Sequence, residues 1–342
     1  MPLPLLDLAK TRSLQLDQLP ADLQGLAPHQ QQDLAQTVAL LREAATTSGF
    51  FYIQNHGIAP KILARQFEIA QTFFELPRHL KMHYSHQYKA GFRGYEAFKG
   101  QQLDVESEPD LKEGFYCGRN YAPDHPYVIA GYQGYSENRW PNAVVADFER
   151  DSLRYIEAMV QLSQHLMQLL ALSLKLPANY FDQSCIDPML TLRMIRYPSH
   201  PEGATEKTFG AGAHTDWGAL TILAQDDLGG LEVCMPDGTW LDATPIKGTF
   251  VVNLGDMIPR WTNGLYHSNP HRVRNRYSQG KPRYSIPFFY EPDYLAEISA
   301  VPGTVADGEQ AKYRPCTAGE HLQEMYQRSY GFLKKSGQTA QN

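Results

Sequence analysis

Long apolar runs, an excess of basic charge and paired cysteines are all missing from this chain. No run approaches the roughly 18–20 apolar residues that a membrane span requires. The hydrophobic residues, 42% of 342, are therefore expected to build a sizeable interior. Lys and Arg number 31 against 37 Asp and Glu, a formal net charge of −6. Nonspecific nucleic-acid binding relies on a basic face that displaces counterions, and this balance argues against it. Cys117, Cys185, Cys234 and Cys316 are widely spaced, with no Cys-x-x-Cys. That pattern speaks against a zinc cluster and for free thiols in a reducing, cytoplasmic compartment. The opening Met1-Pro2-Leu3-Pro4-Leu5-Leu6-Asp7-Leu8 lacks the basic region and long apolar core of a secretory signal and reads as a short strand. The expected partner is a small molecule, with no nucleic acid and no membrane; the oligomeric state is left open.

Helical apolar spacing, free of Gly and Pro, runs over residues 30–47 through Leu34, Val38 and Leu41. A strand is expected at 50–54 and a second helix at 61–74, ending before Pro77. Residues 79–125 look irregular, rich in Gly, Tyr and charge. Their aromatics Tyr88, Phe92, Tyr95, Phe98, Phe115 and Tyr116 suit either a stacking pocket or packing under a long loop. Asn142 is a plausible N-cap for a long helix over 143–176. From residue 190, β-branched and aromatic residues alternate between turns such as Asp226-Asp227-Leu228-Gly229-Gly230 and Pro236-Asp237-Gly238. The second turn predicts a hairpin between 231–235 and 239–241. Roughly eight short strands suffice for a double-sheet jelly roll. A closing helix is expected at 321–334, followed by a polar tail.

The chemistry concentrates in Ala213-His214-Thr215-Asp216-Trp217-Gly218, His271 and Arg283-Tyr284-Ser285-Ile286. Two imidazoles and one carboxylate form the facial set that leaves positions open on a non-haem iron(II). In a strand, residues i and i+2 share a side, so His214 and Asp216 could reach one metal with Thr215 turned away. His271 needs a second strand folded back beside the first. An isolated His-x-Asp is a weak signal, and a lone His among twelve is more often structural. The joint pattern, with Asn253-x-Gly255-Asp256 between and Arg283-x-Ser285 after, is far more specific. Arg283 and Ser285 also sit at i and i+2. The planar fork of Arg stays charged and binds carboxylate bidentately.

These segments, with Trp261-Thr262-Asn263-Gly264 and His271-Arg272-Val273, resemble the core of the iron(II)- and 2-oxoglutarate-dependent oxygenases of the isopenicillin N synthase-like branch. Further upstream, Gly49-Phe50-Phe51-Tyr52-Ile53-Gln54-Asn55-His56-Gly57-Ile58, Phe73-Phe74-Glu75-Leu76-Pro77, Arg93-Gly94-Tyr95 and Asp110-Leu111-Lys112-Glu113 are similar to other motifs of that branch. The resemblance therefore covers nearly the whole chain. It implies a mainly β fold with flanking helices. The core would be a double-stranded β-helix (jelly roll), with N-terminal helices packed on the major sheet. The chain would form one integrated domain, 1–342. Within it, 1–189 would be helix-rich with loops over the site, 190–295 the catalytic jelly roll, and 296–342 an extension with a helix.

The resemblance further implies that His214, Asp216 and His271 hold iron, and that Arg283 and Ser285 bind the far carboxylate of 2-oxoglutarate, with Tyr197 donating to the same group. It implies oxidation of a small molecule with O2, most simply C–H hydroxylation through a ferryl, with release of succinate and CO2. Arg193 shares the strand face of Tyr197 and is a candidate substrate contact, or else part of an internal ion pair. Trp217 and Phe288, with Phe289, are candidates for the substrate side; core packing is the alternative for each. His267, four residues before His271, is a competing ligand, set aside because His271 leads the His-Arg-Val motif. Asp242-Ala243-Thr244-Pro245-Ile246 and Val301-Pro302-Gly303-Thr304 resemble microbial members that include pyrimidine hydroxylases. Three other readings stay open. The first is a same-fold iron oxidase that uses no 2-oxoglutarate. The second is a non-catalytic jelly roll with a structural metal, for which no fourth ligand is found. The third is a zinc hydrolase with Glu232 or Asp242 as base.

Overall fold

A computed structural model describes residues 2–19, 25–85, 93–104, 106–199, 203–275, 278 and 280–335. Tyr88, Phe92 and the polar tail lie outside the described residues.

Strand β1 (Leu5–Asp7) is followed by helix α1 (Pro28–Thr46), strand β2 (Phe50–Gln54), helix α2 (Pro60–Glu75) and the short helix α3 (Arg78–Met82). Strands β3 (Gly94–Glu96) and β4 (Glu113–Cys117) come next, then helix α4 (Pro126–Ile129) and the long helix α5 (Phe148–Ser173). Strands β5 (Met189–Tyr197), β6 (Ala211–His214), β7 (Leu220–Gln225), β8 (Leu231–Cys234), β9 (Trp240–Asp242) and β10 (Thr249–Leu254) form most of the β core. Helix α6 (Met257–Trp261), strands β11 (His271–Val273) and β12 (Arg283–Glu291), the hairpin of β13 (Glu297–Ile298) and β14 (Cys316–Thr317), and helix α7 (Ala318–Lys335) follow.

The major sheet has eight strands in the order β1-β2-β10-β7-β12-β5-β4-β3, and the minor sheet four in the order β6-β11-β8-β9. Only the β1–β2 pair is parallel; every other pair between these named strands is antiparallel. This is the expected jelly roll. Strand alternation divides the major sheet into two faces. Phe51, Ile53, Leu192, Ile222, Val252, Ile286 and Phe288 face α1, α2 and α5 in the larger core. Phe50, Tyr52, Ile195, Tyr197 and Val251 face the minor sheet, where Ala211, Leu231, Val233 and Val273 meet them. Helix α5 forms because a long apolar stripe (Phe148, Tyr155, Met159, Leu162, Leu166, Leu169) matches the 3.6-residue period. Among the described residues no helix is long and apolar enough to cross a membrane.

Two expectations need correction. Helix α5 begins at Phe148, not at 143. Residues 141–145 first close a turn through Val144 and Val145 N–H to the Pro141 carbonyl. Asn142 still acts on the helix end, accepting from the Glu149 N–H at 3.0 Å, but from a distance rather than as the flanking residue. The stretch 79–125, irregular in its pattern, contains β3 and β4, which extend the major sheet beyond β5. Their apolar alternation is hidden because charged residues are buried there: Glu113 is paired with Lys81 at 2.6 Å and Arg196 at 2.9 Å. Phe115 and Tyr95 are packing residues of the larger core.

Candidate metal centre and its two cavities

Strand pairing brings the two histidines together. His271, the first residue of β11, is the direct partner of His214, the last residue of β6. Their rings lie 4.2 Å apart. Asp216 follows two residues later, where the chain leaves β6 for β7. Its Oδ1 is 4.0 Å from the His214 Nε2 and 3.9 Å from the His271 Nε2, and one ligand atom from each residue falls within 4.8 Å of the others.

The neighbours fix these side chains in a metal-ready state. His214 directs Nδ1 at the Gly212 carbonyl, 2.8 Å away, which leaves Nε2 with a free lone pair pointing at the centre. The Asp216 Oδ2 accepts from the Thr221 hydroxyl at 2.6 Å and the Asn253 amide at 2.7 Å, so only Oδ1 faces the histidines. Burial and the adjacent His271 hold the His214 imidazole down to about 3 despite the Asp216 charge. His271 is lowered too, chiefly by burial. Burial alone would raise the Asp216 carboxyl, but the two histidines and the two hydrogen bonds outweigh it and hold it low. Neutral imidazoles beside an ionised carboxylate are the donor set that a divalent cation takes. The residues fit the facial iron site, and the described part of the centre offers no fourth protein ligand.

The expected Asn253-x-Gly255-Asp256 motif belongs to this frame. Asn253 orients Asp216, and the Asp256 N–H donates to the Asp216 carbonyl at 2.8 Å. A Cβ at Gly255 would sit 2.3 Å from the Gly218 carbonyl oxygen, so the close approach of β10 to the ligand loop requires glycine. Thr215 turns away to donate to Asp256 at 3.0 Å. His267 is exposed and stands outside the trio. Glu232 is bound to Arg272 at 2.6 Å and Arg274 at 3.4 Å, and neither it nor Asp242 lines a cavity at the trio.

Two cavities meet at the trio; Arg193, His214, Asp216 and Phe289 line both. The inner one runs between the sheets past Ile195, Thr221, Leu223 and Val273 to Tyr197, Arg283 and Ser285. Arg283 is only 2% exposed. Its Nη2 donates to the Gln225 side chain at 3.2 Å, and its guanidinium lies 4.9 Å from the Tyr197 ring centroid. Its Nε and Nη1 have no hydrogen-bond partner among the described residues. A buried guanidinium with free donors in the wall of a pocket is a receptor for an anion.

The outer cavity is bounded by Tyr116, Thr191, Trp217, Phe289, Leu322 and Tyr326. Trp217 lines it, held edge-on by Tyr326 at 4.8 Å; its carbonyl accepts from the His321 Nε2 at 3.0 Å. Arg193 reaches both cavities while paired with Glu96 at 2.5 Å and Gln101 at 3.0 Å, so the internal ion pair is present. Phe288 is a correction: it is fully buried in the helix-side core, and Phe289 faces the cavity in its place. The reason is the phase of β12, where Arg283, Ser285, Pro287, Phe289 and Glu291 share one face. The i+2 rule applied onward from Arg283 and Ser285 finds it. The helix α7 residues Leu322 and Tyr326 and the strand-end Glu291 are additions to the expected site, and only Glu291 carries a signal in the sequence, through the same alternation.

Comparison with known proteins agrees with this geometry. The model of the 2OG-Fe(II) oxygenase superfamily matches residues 186–292. That of the non-haem dioxygenase N-terminal region, described for morphine synthesis, matches residues 20–143. A 2-oxoglutarate-Fe(II) type oxidoreductase, hxnY of Emericella nidulans, is 40% identical over 303 residues, covering 87% of this chain and 86% of that one. Homoarginine-6-hydroxylase of Oryza sativa is 36% identical over 301 residues, covering 85% and 88%. Among solved structures, that of a full-length Neurospora crassa protein in complex with alpha-KG and thymine superposes with a TM-score of 0.80 at 30% identity, covering 96% of this chain and 97% of that one.

The chain belongs to the iron(II)- and 2-oxoglutarate-dependent oxygenases of the isopenicillin N synthase-like branch. It is a dioxygenase whose cofactor is iron(II) and whose co-substrates are 2-oxoglutarate and O2.

Proposed function

We propose that His214, Asp216 and His271 hold the iron, that Arg283 with Ser285 and Tyr197 receives the far carboxylate of 2-oxoglutarate, and that the outer cavity takes a small organic substrate for C–H hydroxylation. The overall reaction is then R–H + 2-oxoglutarate + O2 giving R–OH + succinate + CO2. Bound iron(II) supplies the coupling of O2 reduction to oxidative decarboxylation of the oxoacid. The chain's own contribution is positional. Asn253 and Thr221 hold Asp216 ionised and aimed. The inner cavity receives the oxoacid between the two sheets, and Trp217 and Phe289 present the substrate body to the centre.

The observation that carries this reading is Arg283, a buried cation whose free donors share a narrow cavity between the sheets with the metal trio. A relative's structure holds alpha-KG with thymine, another with 5-formyluracil, and a further relative is named for homoarginine. Small molecules of this size suit the outer cavity. The major sheet takes strands from both sides of residue 190, which supports treating 1–342 as one functional unit with 190–295 as its catalytic core.

The test is anaerobic absorbance of the iron(II) protein before and after 2-oxoglutarate. A weak visible charge-transfer band that weakens in Arg283→Ala at the same oxoacid concentration supports the assignment. Bound iron with no band would overturn it in favour of the oxidase that uses no oxoacid.

A further inference from the structure

Glu291 ends β12 on the same face as Arg283, Ser285 and Phe289, and its side chain lines the outer cavity. Among the described residues its carboxylate has no hydrogen-bond or ion-pair partner. This placement is not loose filling. A Cβ at Gly218 would sit 2.5 Å from the Glu291 Cγ and 2.9 Å from its Oε1. The backbone there does not have the left-handed φ that favours glycine, so the missing side chain at 218 serves space alone: it makes the niche that the carboxylate fills.

The other charges around this cavity are already answered. Arg193 is neutralised by Glu96 at 2.5 Å. Asp216 is turned toward the metal position. Arg93, whose field draws the Glu291 carboxyl down, gives its Nη donors to the Gly134, Leu190 and Cys117 carbonyls and the Thr191 hydroxyl and forms no hydrogen bond to Glu291; its Nε has no hydrogen-bond partner among the described residues. Burial nevertheless pushes the Glu291 carboxyl up to about 7, with Asp216 adding to the rise. Glu291 is half-buried in the cavity wall, and a partly desolvated carboxyl without a protein partner gains from a ligand that brings a positive charge to it. Trp217 and Phe289 line the same cavity, and aromatic rings suit a cation or a flat apolar body.

We propose that Glu291 is the specificity-determining residue of the outer cavity, and that the substrate carries a basic nitrogen, as an amine, amidine or guanidine, which pairs with this carboxylate while its apolar part lies against Trp217 and Phe289. The proposal rests on the outer cavity being the substrate site of the 2-oxoglutarate reaction.

The test uses a charged and a neutral probe of nearly equal shape, benzamidine and benzamide, titrated calorimetrically into the anaerobic protein loaded with iron(II) and 2-oxoglutarate. Wild type should bind benzamidine about tenfold or more tighter than benzamide. Glu291→Gln, similar in volume, should lose that preference while binding benzamide as before; Glu291→Asp should keep much of it. Equal affinity for the two probes, no binding of either by wild type, or an unchanged preference in Glu291→Gln would overturn the assignment. The oxoacid charge-transfer band is recorded in the same samples. If it forms and the probes show no preference, the role of Glu291 fails alone. If it does not form in wild type, the underlying reading of the site fails.

Discussion

The two ends of strand β12 hold charges of opposite sign with unanswered polar atoms, and they are built in different ways. Arg283, at the start, is enclosed by side chains of regular strands: Tyr197 from β5 and Gln225 from β7. Glu291, at the end, faces Trp217 from the loop after β6 and residues of helix α7. Strand register fixes positions by backbone hydrogen bonds, so a pocket walled by strands suits the invariant co-substrate proposed for it. Loops and a peripheral helix can change without altering that register, which suits the proposed role of the outer cavity in meeting a molecule that differs between enzymes. The contrast is between a site the fold dictates and a site the fold merely frames.

The sharpest way to break this contrast is at the point where the two cavities meet. Asp216→Ala removes a donor of the trio and leaves Thr221 and Asn253 without their acceptor. Iron content, measured after reconstitution, should drop to background and turnover with it; an active, iron-replete variant would refute the assignment. The phase of β12 can be tested next. Phe288→Ala, on the core face, should cost about 3–5 kcal/mol in urea unfolding. Phe289→Ala should cost clearly less and should raise the substrate KM instead. Equal destabilisation by both would mean the strand does not separate core from cavity.

At the enclosed end, Arg283→Ala should raise the KM for 2-oxoglutarate roughly 10²–10³-fold, as loss of a buried charged hydrogen-bond pair does. Iron affinity should change little, and a collapse of iron binding would move Arg283 out of the co-substrate role. At the framed end the sign of a pH effect is informative. The unfolded chain releases the Glu291 proton near 4.5 and the folded chain near 7. Between these values the folded state holds the extra proton, so this residue's contribution to stability falls as pH rises through the window. Glu291→Gln lacks the penalty. It should therefore match wild type at pH 4 and exceed it at pH 8 by about 1–2 kcal/mol once solvent screening of this half-buried group is allowed for, and a constant difference at all pH values would contradict the raised carboxyl. The smallest effect is expected from Asn253→Ala, which should weaken metal affinity or activity about 10–100-fold by freeing Asp216 to rotate.

What can be read from the sequence follows the same division. The trio, Arg283, Ser285 and Tyr197 are legible because strand alternation and short motif spacing determine which way they point. Alternation also places Glu291, although its charge at the edge of an apolar run makes it look like an ordinary strand end. Phe288 is misplaced only when the phase already set by Arg283 is ignored. Leu322 and Tyr326 are illegible for a different reason. Helix α7 is recognisable by its periodicity, but which of its faces meets a cavity depends on docking contacts such as His321 to the Trp217 carbonyl. Strands β3 and β4 escape notice because Glu113 is buried by salt bridges that link distant segments, and no local pattern announces such partners.

The hydrogen bond from His321 to the Trp217 carbonyl joins helix α7 to the residue immediately after Asp216, a proposed metal ligand. A peripheral helix is thereby fastened one peptide away from the reacting centre. A disturbance of helix α7 therefore reaches the wall of the outer cavity through the Trp217 backbone. His321→Ala, which removes that tie, is thus expected to alter the ligand preference of the outer cavity while leaving iron content unchanged.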